Sequence, residues 1–335
     1  KVVRGFGGLN NMVKKISRRL RRIIMTYYIK IISFRLLKKI NQEQFYLFKI
    51  NKIDFYKQYK SIASRIDSDF LHETWGEFSV SLEKDFLPTP KISFFHYKSM
   101  LKTMTGDDCY PKYQEFIDKI LKVYQEDEMY DLLTEDLIGG IMIIKEFEPA
   151  SLTSLGRIVH VYQASLCENA TNGIKNISTI TEWGGGFGGL ARVLKKVNSN
   201  LTYNIIDIPI VCTIQWLYLS SVLGNDAVNL VASISDGIVP GKINIIPIGF
   251  VKEMRNELSC DLFVSAWALS ESNIDAQKYI DHVNMFNATH GVLIHQHLSN
   301  RHPYAENLKA ILIKKDIKYC TENVPVWNTE RVLYW

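Results

Sequence analysis

The sequence predicts an α/β fold in which a helical N-terminal region precedes a mainly parallel sheet. Two observations support this prediction. From residue 177 onward, strand-like and helix-like segments alternate, whereas residues 41–175 contain few strand signals. Between the first of these strands and its helix stands a glycine-rich turn, Glu182-Trp-Gly-Gly-Gly-Phe-Gly-Gly189. With 335 residues, the chain is long enough for a large core and about two domains.

The first 40 residues are strongly basic, with twelve Lys or Arg and no Asp or Glu. From Met12, apolar residues recur at spacings of three and four, which predicts an amphipathic helix over residues 12–34. Its most apolar stretch has twelve residues and contains Lys30, so it is too short and too charged to span a bilayer, which needs about 20 residues. Two interpretations stay open: the helix lies on an anionic membrane surface, or it docks on its own protein.

The remainder of the chain is mildly acidic. Of the 40 Lys or Arg, 28 lie after residue 40, together with all 35 Asp or Glu, which gives this part a net charge of −7. Nucleic acid is therefore not an expected partner. The five Cys are scattered without a C-x-x-C pair, which is typical of a reducing compartment. We expect a cytoplasmic protein, with residues 12–34 as the candidate contact to the inner face of the membrane. The sequence predicts no oligomeric state.

The middle of the chain is predicted to be helical. Residues 112–145 alternate acidic with apolar residues, and Pro149 ends that stretch. Ser151 is the predicted cap of the next helix, which runs through Leu166. The predicted domains are the basic helix at 1–40, a helical cap domain at 41–150 and the sheet domain at 151–335.

The sheet domain has a predicted site at one edge, because ligands of open parallel sheets bind beyond the carboxyl ends of the strands. A helix over residues 210–223, ending at Gly224, separates the second strand from the third. The predicted rim comprises residues 182–189, Asp207, Phe250, residues 265–271 and residues 295–302. The predicted strands are 177–183, 202–207, 243–249, 261–267, 290–297 and a terminal pair within 316–335.

The glycine-rich turn fits two ligand classes. Gly184, Gly186 and Gly189 match G-x-G-x-x-G, the dinucleotide pattern. Glu182, with Gly184, Gly186 and Gly188, matches acid-x-G-x-G-x-G, the pattern of S-adenosylmethionine-dependent methyltransferases, and the acid two residues before the first glycine favours this reading. Asp207 stands eighteen residues past the last glycine, at the end of the next strand, where an acid can accept the hydroxyls of a ribose.

Four motifs in order resemble those of bacterial sugar O-methyltransferases. The resemblance covers about residues 150–335. It implies a Rossmann-like methyltransferase sheet with helices on both faces, S-adenosylmethionine as cofactor, and a sugar or glycan hydroxyl as acceptor, often for cell-surface polysaccharide. Trp267 departs from the small or polar residue expected at its position. The motifs are Glu182 to Leu190, Ile205 to Pro209, Gln215-Trp-Leu-Tyr-Leu219, and Asp261-Leu-Phe-Val-Ser-Ala-Trp-Ala-Leu-Ser-Glu271.

A base near the cofactor helps methyl transfer to a hydroxyl, since a protonated sugar hydroxyl is a poor nucleophile. His295 and His297, two residues apart at the end of the fifth strand, are the first candidates for this base, ahead of Glu271. These residues and Asp275 are also the candidate ligands of a metal, but their spacing matches no known metal motif, and we predict none. The predicted cofactor-binding residues are Glu182, Gly184, Gly185, Gly186, Gly188, Asp207, Ser265 and Trp267.

Two other functional classes stay open. An NAD(P)-dependent sugar oxidoreductase or epimerase normally carries a Y-x-x-x-K pair after its glycine loop, and no Tyr after residue 189 is followed by Lys four residues later. A non-catalytic Rossmann-like scaffold in a glycan-assembly complex is the second alternative. The intact Glu182, glycine run and Asp207 argue against such a degenerate site.

Overall fold

The computed structural model describes residues 37–104, 113–147, 151–299, 302–327 and 329–335. The predicted basic helix over residues 12–34 lies outside these ranges. Among the helices described, none is both long enough and apolar enough to cross a membrane.

The described residues form an eight-stranded sheet and a separate two-stranded hairpin. With strands numbered along the chain, the sheet order is β5-β6-β4-β3-β7-β8-β10-β9. Strands β5, β6, β4, β3, β7 and β8 are parallel, whereas β10 runs antiparallel to both β8 and β9. The hairpin consists of β1 (Ile143–Phe147) and β2 (Ser151–Ser154), and the sheet of β3 (Thr179–Trp183), β4 (Thr202–Asp207), β5 (Val228–Leu230), β6 (Ile243–Pro247), β7 (Leu262–Ala266), β8 (His290–His295), β9 (Cys320–Asn323) and β10 (Arg331–Tyr334).

The chain crosses the sheet in two directions from its centre. From β3 it moves through β4 toward β5 and β6, and from β7 it moves the other way to β8. Right-handed crossovers in opposite directions place the connecting helices on opposite faces of the sheet. The predicted Rossmann-like sheet, preceded by a helical region, is therefore confirmed. The helices are α1 (Gln42–Ile62), α2 (Glu73–Phe86), α3 (Lys98–Thr103), α4 (Gln114–Ile120), α5 (Glu126–Leu133), α6 (Leu155–Thr171), α7 (Gly189–Val197), α8 (Pro209–Leu223), α9 (Ala268–Glu271), α10 (Ile274–His282) and α11 (Asn307–Lys314), and a left-handed turn occupies Asn284–Asn287.

Several details differ from the sequence-based expectation. Strand β5 and the β1–β2 hairpin were not predicted. Ser154, not Ser151, caps α6, because its Oγ accepts from the amide of Arg157 at 3.0 Å. The hairpin also straddles the predicted boundary between residues 150 and 151, although the division into domains itself stays a prediction.

The N-terminal helices and the sheet share one hydrophobic core. Helix α1 packs against α8, with Phe48 and Phe55 fully buried. Phe95, which precedes α3, meets the ring of Phe187 in the glycine turn, with centroids 4.7 Å apart, and the ring of Tyr218 on α8 at 5.7 Å. The helical region therefore supports the glycine turn directly.

A buried ionic cluster makes a second link between these regions. Arg157 on α6 donates to Glu135 and Asp136, in each case at 3.1 Å, and Arg192 on α7 reaches Asp136 at 2.6 Å. Gln44 on α1 donates to the same Asp136 at 3.1 Å. The cluster ties α1, the segment before the hairpin, α6 and the glycine-turn helix α7 together.

A chain of side-chain hydrogen bonds crosses four neighbouring strands inside the sheet. Asn229 donates to Asn244 at 3.0 Å, Asn244 to Asn204 at 3.1 Å, and Asn204 to the hydroxyl of Thr181 at 3.3 Å. Thr181 in turn donates to the carbonyl of Leu258 at 2.9 Å. The register of the parallel strands places Thr181, Asn204 and Asn244 side by side. Thus polar groups deep in the molecule are paired across strands.

Candidate functional site

A cavity of about 510 Å³ opens at the carboxyl ends of the central strands. Its floor is the turn after β3 and the residues that follow β4, β6, β7 and β8. Its other wall comes from the N-terminal region, through His72, Trp75 and Met104. The volume falls within the range of sites for small molecules and cofactors.

The glycine turn is too crowded for larger residues on its protein side and open on its cavity side. A Cβ on Gly184, where φ is +77°, would lie 2.1 Å from the Cβ of Ala268. A Cβ on Gly185 would lie 2.6 Å from a methyl group of Ile205. A Cβ on Gly186, where φ is +55°, would meet no atom within 4 Å apart from those of the glycine and its chain neighbours. The turn thus brings its backbone to the cavity surface, where a ligand can contact it.

Asp207 lies at the end of β4 and lines the cavity beside this turn. Its carboxylate accepts from the amide of Ile208 and from the side chain of Gln215, both at 2.9 Å. Burial raises the pKa of Asp207 to about 7, against the hydrogen bonds from Ile208, Gln215 and the turn amides, which lower it. Gln215 also donates to the carbonyl of Gly186 at 2.8 Å, so this residue of α8 fixes Asp207 and the turn relative to each other.

Glu182 lies one residue before the end of β3, beneath the turn. It is only 2% exposed, and its Oε2 accepts from the hydroxyl of Tyr203 at 2.9 Å. Burial raises the pKa of Glu182 to about 8; the Tyr203 hydrogen bond lowers it, and the charge of Asp207 raises it further. Two carboxyl groups with raised pKa values therefore stand together at one end of the cavity.

Both apolar and polar side chains line the cavity that Asp207 faces. Ile208, Val211 and Ile248 provide apolar cavity wall beside the carboxyl group. On α6, His160 and Gln163 are three residues apart and both line the cavity. Burial, and next the charge of Arg157, lower the pKa of His160 to about 3, so its imidazole is neutral at neutral pH.

Ser265 and Trp267, two predicted cofactor residues after β7, have different positions. The hydroxyl of Ser265 donates to the carbonyl of Trp183 at 3.1 Å and accepts from the amide of Leu269 at 3.0 Å, and Ser265 is not among the residues lining the cavity. Trp267 does line it, with φ of +66° and ψ of −36°. Its indole Nε1 donates to Glu330 at 2.6 Å. A large residue at positive φ costs about 1–3 kcal/mol, and such strain is concentrated at functional sites.

The far end of the cavity carries aromatic rings and two more carboxyl groups. Glu271 accepts from Trp75 Nε1 through Oε2 at 3.1 Å and from the amide of Gln296 through Oε1. Glu330, from the loop before β10, lies on the same wall. Burial raises the pKa of Glu330; the hydrogen bond from Trp267 lowers it, and the charge of Glu271 raises it.

The predicted catalytic histidines do not reach this cavity. His295 is 4% exposed, and its Nδ1 lies 2.9 Å from the carbonyl of Gln296. Burial lowers its pKa. His297 is exposed and lies 3.8 Å from Glu306. Because neighbouring residues of an extended chain point to opposite sides, it is Gln296 that lines the cavity.

Of the other rim residues expected, Glu271 lines the cavity, whereas Phe250 is buried with Arg65 over its ring at 4.8 Å. Asp275 pairs with Lys278 at 3.0 Å on the surface. Within the described part of the chain, no three His, Cys, Asp or Glu side chains gather in a way that would hold a metal. No local sequence pattern indicates Glu330, Trp75 or His160, which reach the cavity from distant segments of the chain.

Comparison with known proteins gives matches of structure only. No family model and no curated protein matches the chain. Similar solved structures include the mitomycin 7-O-methyltransferase MmcR, with 12% identity, coverage of 76% of this chain and 74% of that chain, and a TM-score of 0.36. They also include magnesium protoporphyrin IX methyltransferase (ChlM) from Synechocystis PCC 6803 with bound SAH, with 12% identity, coverage of 53% and 83%, and a TM-score of 0.36. PigF with SAH has 9% identity, coverage of 78% and 68%, and a TM-score of 0.35. These values are too low to assign a function to this chain.

Proposed function

We propose that the chain is an S-adenosylmethionine-dependent O-methyltransferase that acts on a sugar or glycan hydroxyl. The observation that carries the proposal is the set of ionisable side chains that line the cavity. Four carboxyl groups line it, and no Lys or Arg is among its described lining residues. A ligand with a sulfonium and an ammonium group is favoured there, whereas the pyrophosphate of a dinucleotide meets like charge.

The residues present fit the methyl donor. Asp207 would accept the ribose hydroxyls, and Ile208, Val211 and Ile248 offer apolar surface to the purine. The open face of Gly186 admits close approach of the ligand to the backbone. His160 and Gln163 are the polar groups available to the amino acid end. When bound, the donor supplies the methyl group; the protein binds and orients it.

The sugar acceptor is supported by the far end of the cavity. Four tryptophans line the cavity: Trp75, Trp183, Trp267 and Trp327. Two carboxyl groups and the amide of Gln296 stand among them. Aromatic rings with carboxylate and amide acceptors suit a molecule that has apolar faces and a hydroxyl rim. Cell-surface polysaccharide or glycoconjugate synthesis in the cytoplasm is the proposed setting, and residues 12–34 are the proposed contact to an anionic membrane surface.

Calorimetry of the purified protein tests the cofactor half of the proposal. We expect binding of S-adenosylhomocysteine and no binding of NAD or NADP. Binding of NAD without S-adenosylhomocysteine would show that the oxidoreductase alternative is correct, and binding of neither would favour a scaffold. Methyl transfer from labelled S-adenosylmethionine to a mixture of nucleotide sugars tests the acceptor half.

A further inference from the structure

The two carboxyl groups at the far end of the cavity are not equivalent. Both oxygens of Glu271 accept a side-chain hydrogen bond, one from Trp75 and one from Gln296. Gln296 is itself held by the hydroxyl of Ser270. Glu271 therefore connects the N-terminal region to β8, and its hydrogen bonds fix its orientation.

Glu330 is held through one oxygen. Trp267 Nε1 donates to its Oε2 at 2.6 Å, and in the part of the chain that the structure describes no second side chain donates to this carboxyl group. Its other oxygen is therefore available to a molecule in the cavity. Strand β10 positions Glu330, because the antiparallel register pairs Arg331 with His295 and so brings residue 330 to the level of Gln296.

The strained backbone of Trp267 fits this arrangement. At φ of +66°, its amide donates to the carbonyl of Ile294 at 2.7 Å and its indole extends along the cavity to Glu330. The ring also meets Trp327 edge to face at 5.7 Å. The strained backbone conformation thus positions the indole N–H of Trp267 to donate to the carboxylate of Glu330.

We propose that Glu330 is the general base for the acceptor hydroxyl, in a subsite built with Glu271, Gln296 and the surrounding tryptophans. This inference rests on the proposed function. The acceptor oxygen forms a bond to the methyl carbon, the carbon–sulfur bond breaks with its electron pair moving to sulfur, and the hydroxyl proton passes to Glu330. The partly buried position that raises the pKa of Glu330 also makes it a better proton acceptor than a solvated carboxylate.

A binding experiment tests the position of Glu330 without knowledge of the acceptor. A base within hydrogen-bond distance of the attacking oxygen lies within about 6 Å of the sulfonium, whose charge S-adenosylhomocysteine lacks. Calorimetry at pH 8 should show that Glu330→Gln lowers affinity for S-adenosylmethionine about tenfold and leaves affinity for S-adenosylhomocysteine nearly unchanged. The side-chain oxygen of the introduced glutamine can still accept the hydrogen bond from Trp267 Nε1.

Glu306→Gln is the matched control, since Glu306 is an exposed rim carboxylate that does not line the cavity. It should leave both affinities unchanged. If wild type binds no S-adenosylhomocysteine, the proposed function itself fails. If wild type binds it and Glu330→Gln changes both affinities equally, or neither, Glu330 is not the base. A selective loss in Glu271→Gln alone would transfer the role to Glu271.

Turnover gives a second test with the nucleotide-sugar mixture as acceptor. Glu330→Gln should lower kcat by roughly 100-fold or more. It should also remove the acidic limb of the pH–rate profile, which a merely structural role would leave in place. Unchanged kcat in this variant would overturn the assignment.

Discussion

Asp207 is the residue on which the proposed binding of S-adenosylmethionine most directly depends. It is anchored by Gln215 and Ile208 and faces the cavity. We expect Asp207→Ala to weaken S-adenosylhomocysteine binding by about 1.5–3 kcal/mol, because a charged hydrogen-bond acceptor is lost. Calorimetry measures this, and Asp226→Ala, at an exposed position, is the control. Equal affinity of wild type and Asp207→Ala would contradict the assignment.

The pKa of Asp207 gives the same site a pH dependence. Since burial raises that pKa to about 7, the carboxyl group is largely protonated at pH 6 and ionised at pH 8. The ionised form accepts ribose hydroxyls better, so affinity for S-adenosylhomocysteine should rise between pH 6 and pH 8. Glu182, with a pKa of about 8, loses its proton in the same direction. Asp207→Asn should flatten much of the profile; an unchanged slope would assign it to another group.

Two glycines of the turn should respond differently to the same substitution. Gly184→Ala combines positive φ with a Cβ 2.1 Å from Ala268, whereas Gly186→Ala brings positive φ alone. The backbone cost at Gly186 is about 1–2 kcal/mol, and the collision at Gly184 adds to it. Thermal denaturation should therefore show a clearly larger loss of Tm for Gly184→Ala. Equal losses would mean that α9 moves aside without cost.

At the scale of elements, the basic segment at residues 12–34 has its own test. We expect the full chain to bind vesicles containing anionic lipid and to release them as salt increases. A chain beginning at Gln42 should bind much less. Equal partitioning of the two chains would remove the membrane proposal and favour docking on the protein.

The elements of the sheet domain could be predicted because their apolar patterns are long and regular. Strand β4 and helix α8 were placed to within one residue, and the carboxyl ends of the strands located the cavity. It was harder to predict which side chains face the cavity, because a shift of one residue exchanges the two sides of a strand. The sequence favoured His295 and His297, but Gln296 between them lines the cavity. Glu330 enters only through the antiparallel pairing of β10 with β8, which no local pattern reveals.

At the scale of the whole molecule, the buried ionic cluster connects the N-terminal helices to the helix that follows the glycine turn. Asp136→Asn should destabilise the fold by about 3–5 kcal/mol, because two buried guanidinium groups lose their shared carboxylate. Burial raises the pKa of Asp136, but the charges of Arg192 and Arg157 outweigh this and lower it. Its contribution is thus present above the ordinary Asp pKa of 3.8 and is lost as pH falls through the lower folded value.

Urea unfolding at pH 7 measures this difference. Asp131→Asn is the control, because that carboxylate pairs with Lys196 at the surface and should contribute about 1 kcal/mol or less. If Asp136→Asn were no more destabilising than Asp131→Asn, the cluster would not be an important link between the N-terminal region and the sheet.

The chain of side-chain hydrogen bonds through Asn229, Asn244, Asn204 and Thr181 specifies how each strand is aligned with its neighbour. A slip of one residue would turn these amides away from their partners, and each unpaired buried group costs about 1–3 kcal/mol. Apolar side chains at these positions would be compatible with several alignments of the strands. Glu182 follows Thr181 directly, and Asp207 lies three residues after Asn204. The alignment of the strands in the interior therefore sets the relative height of the two acids in the cavity.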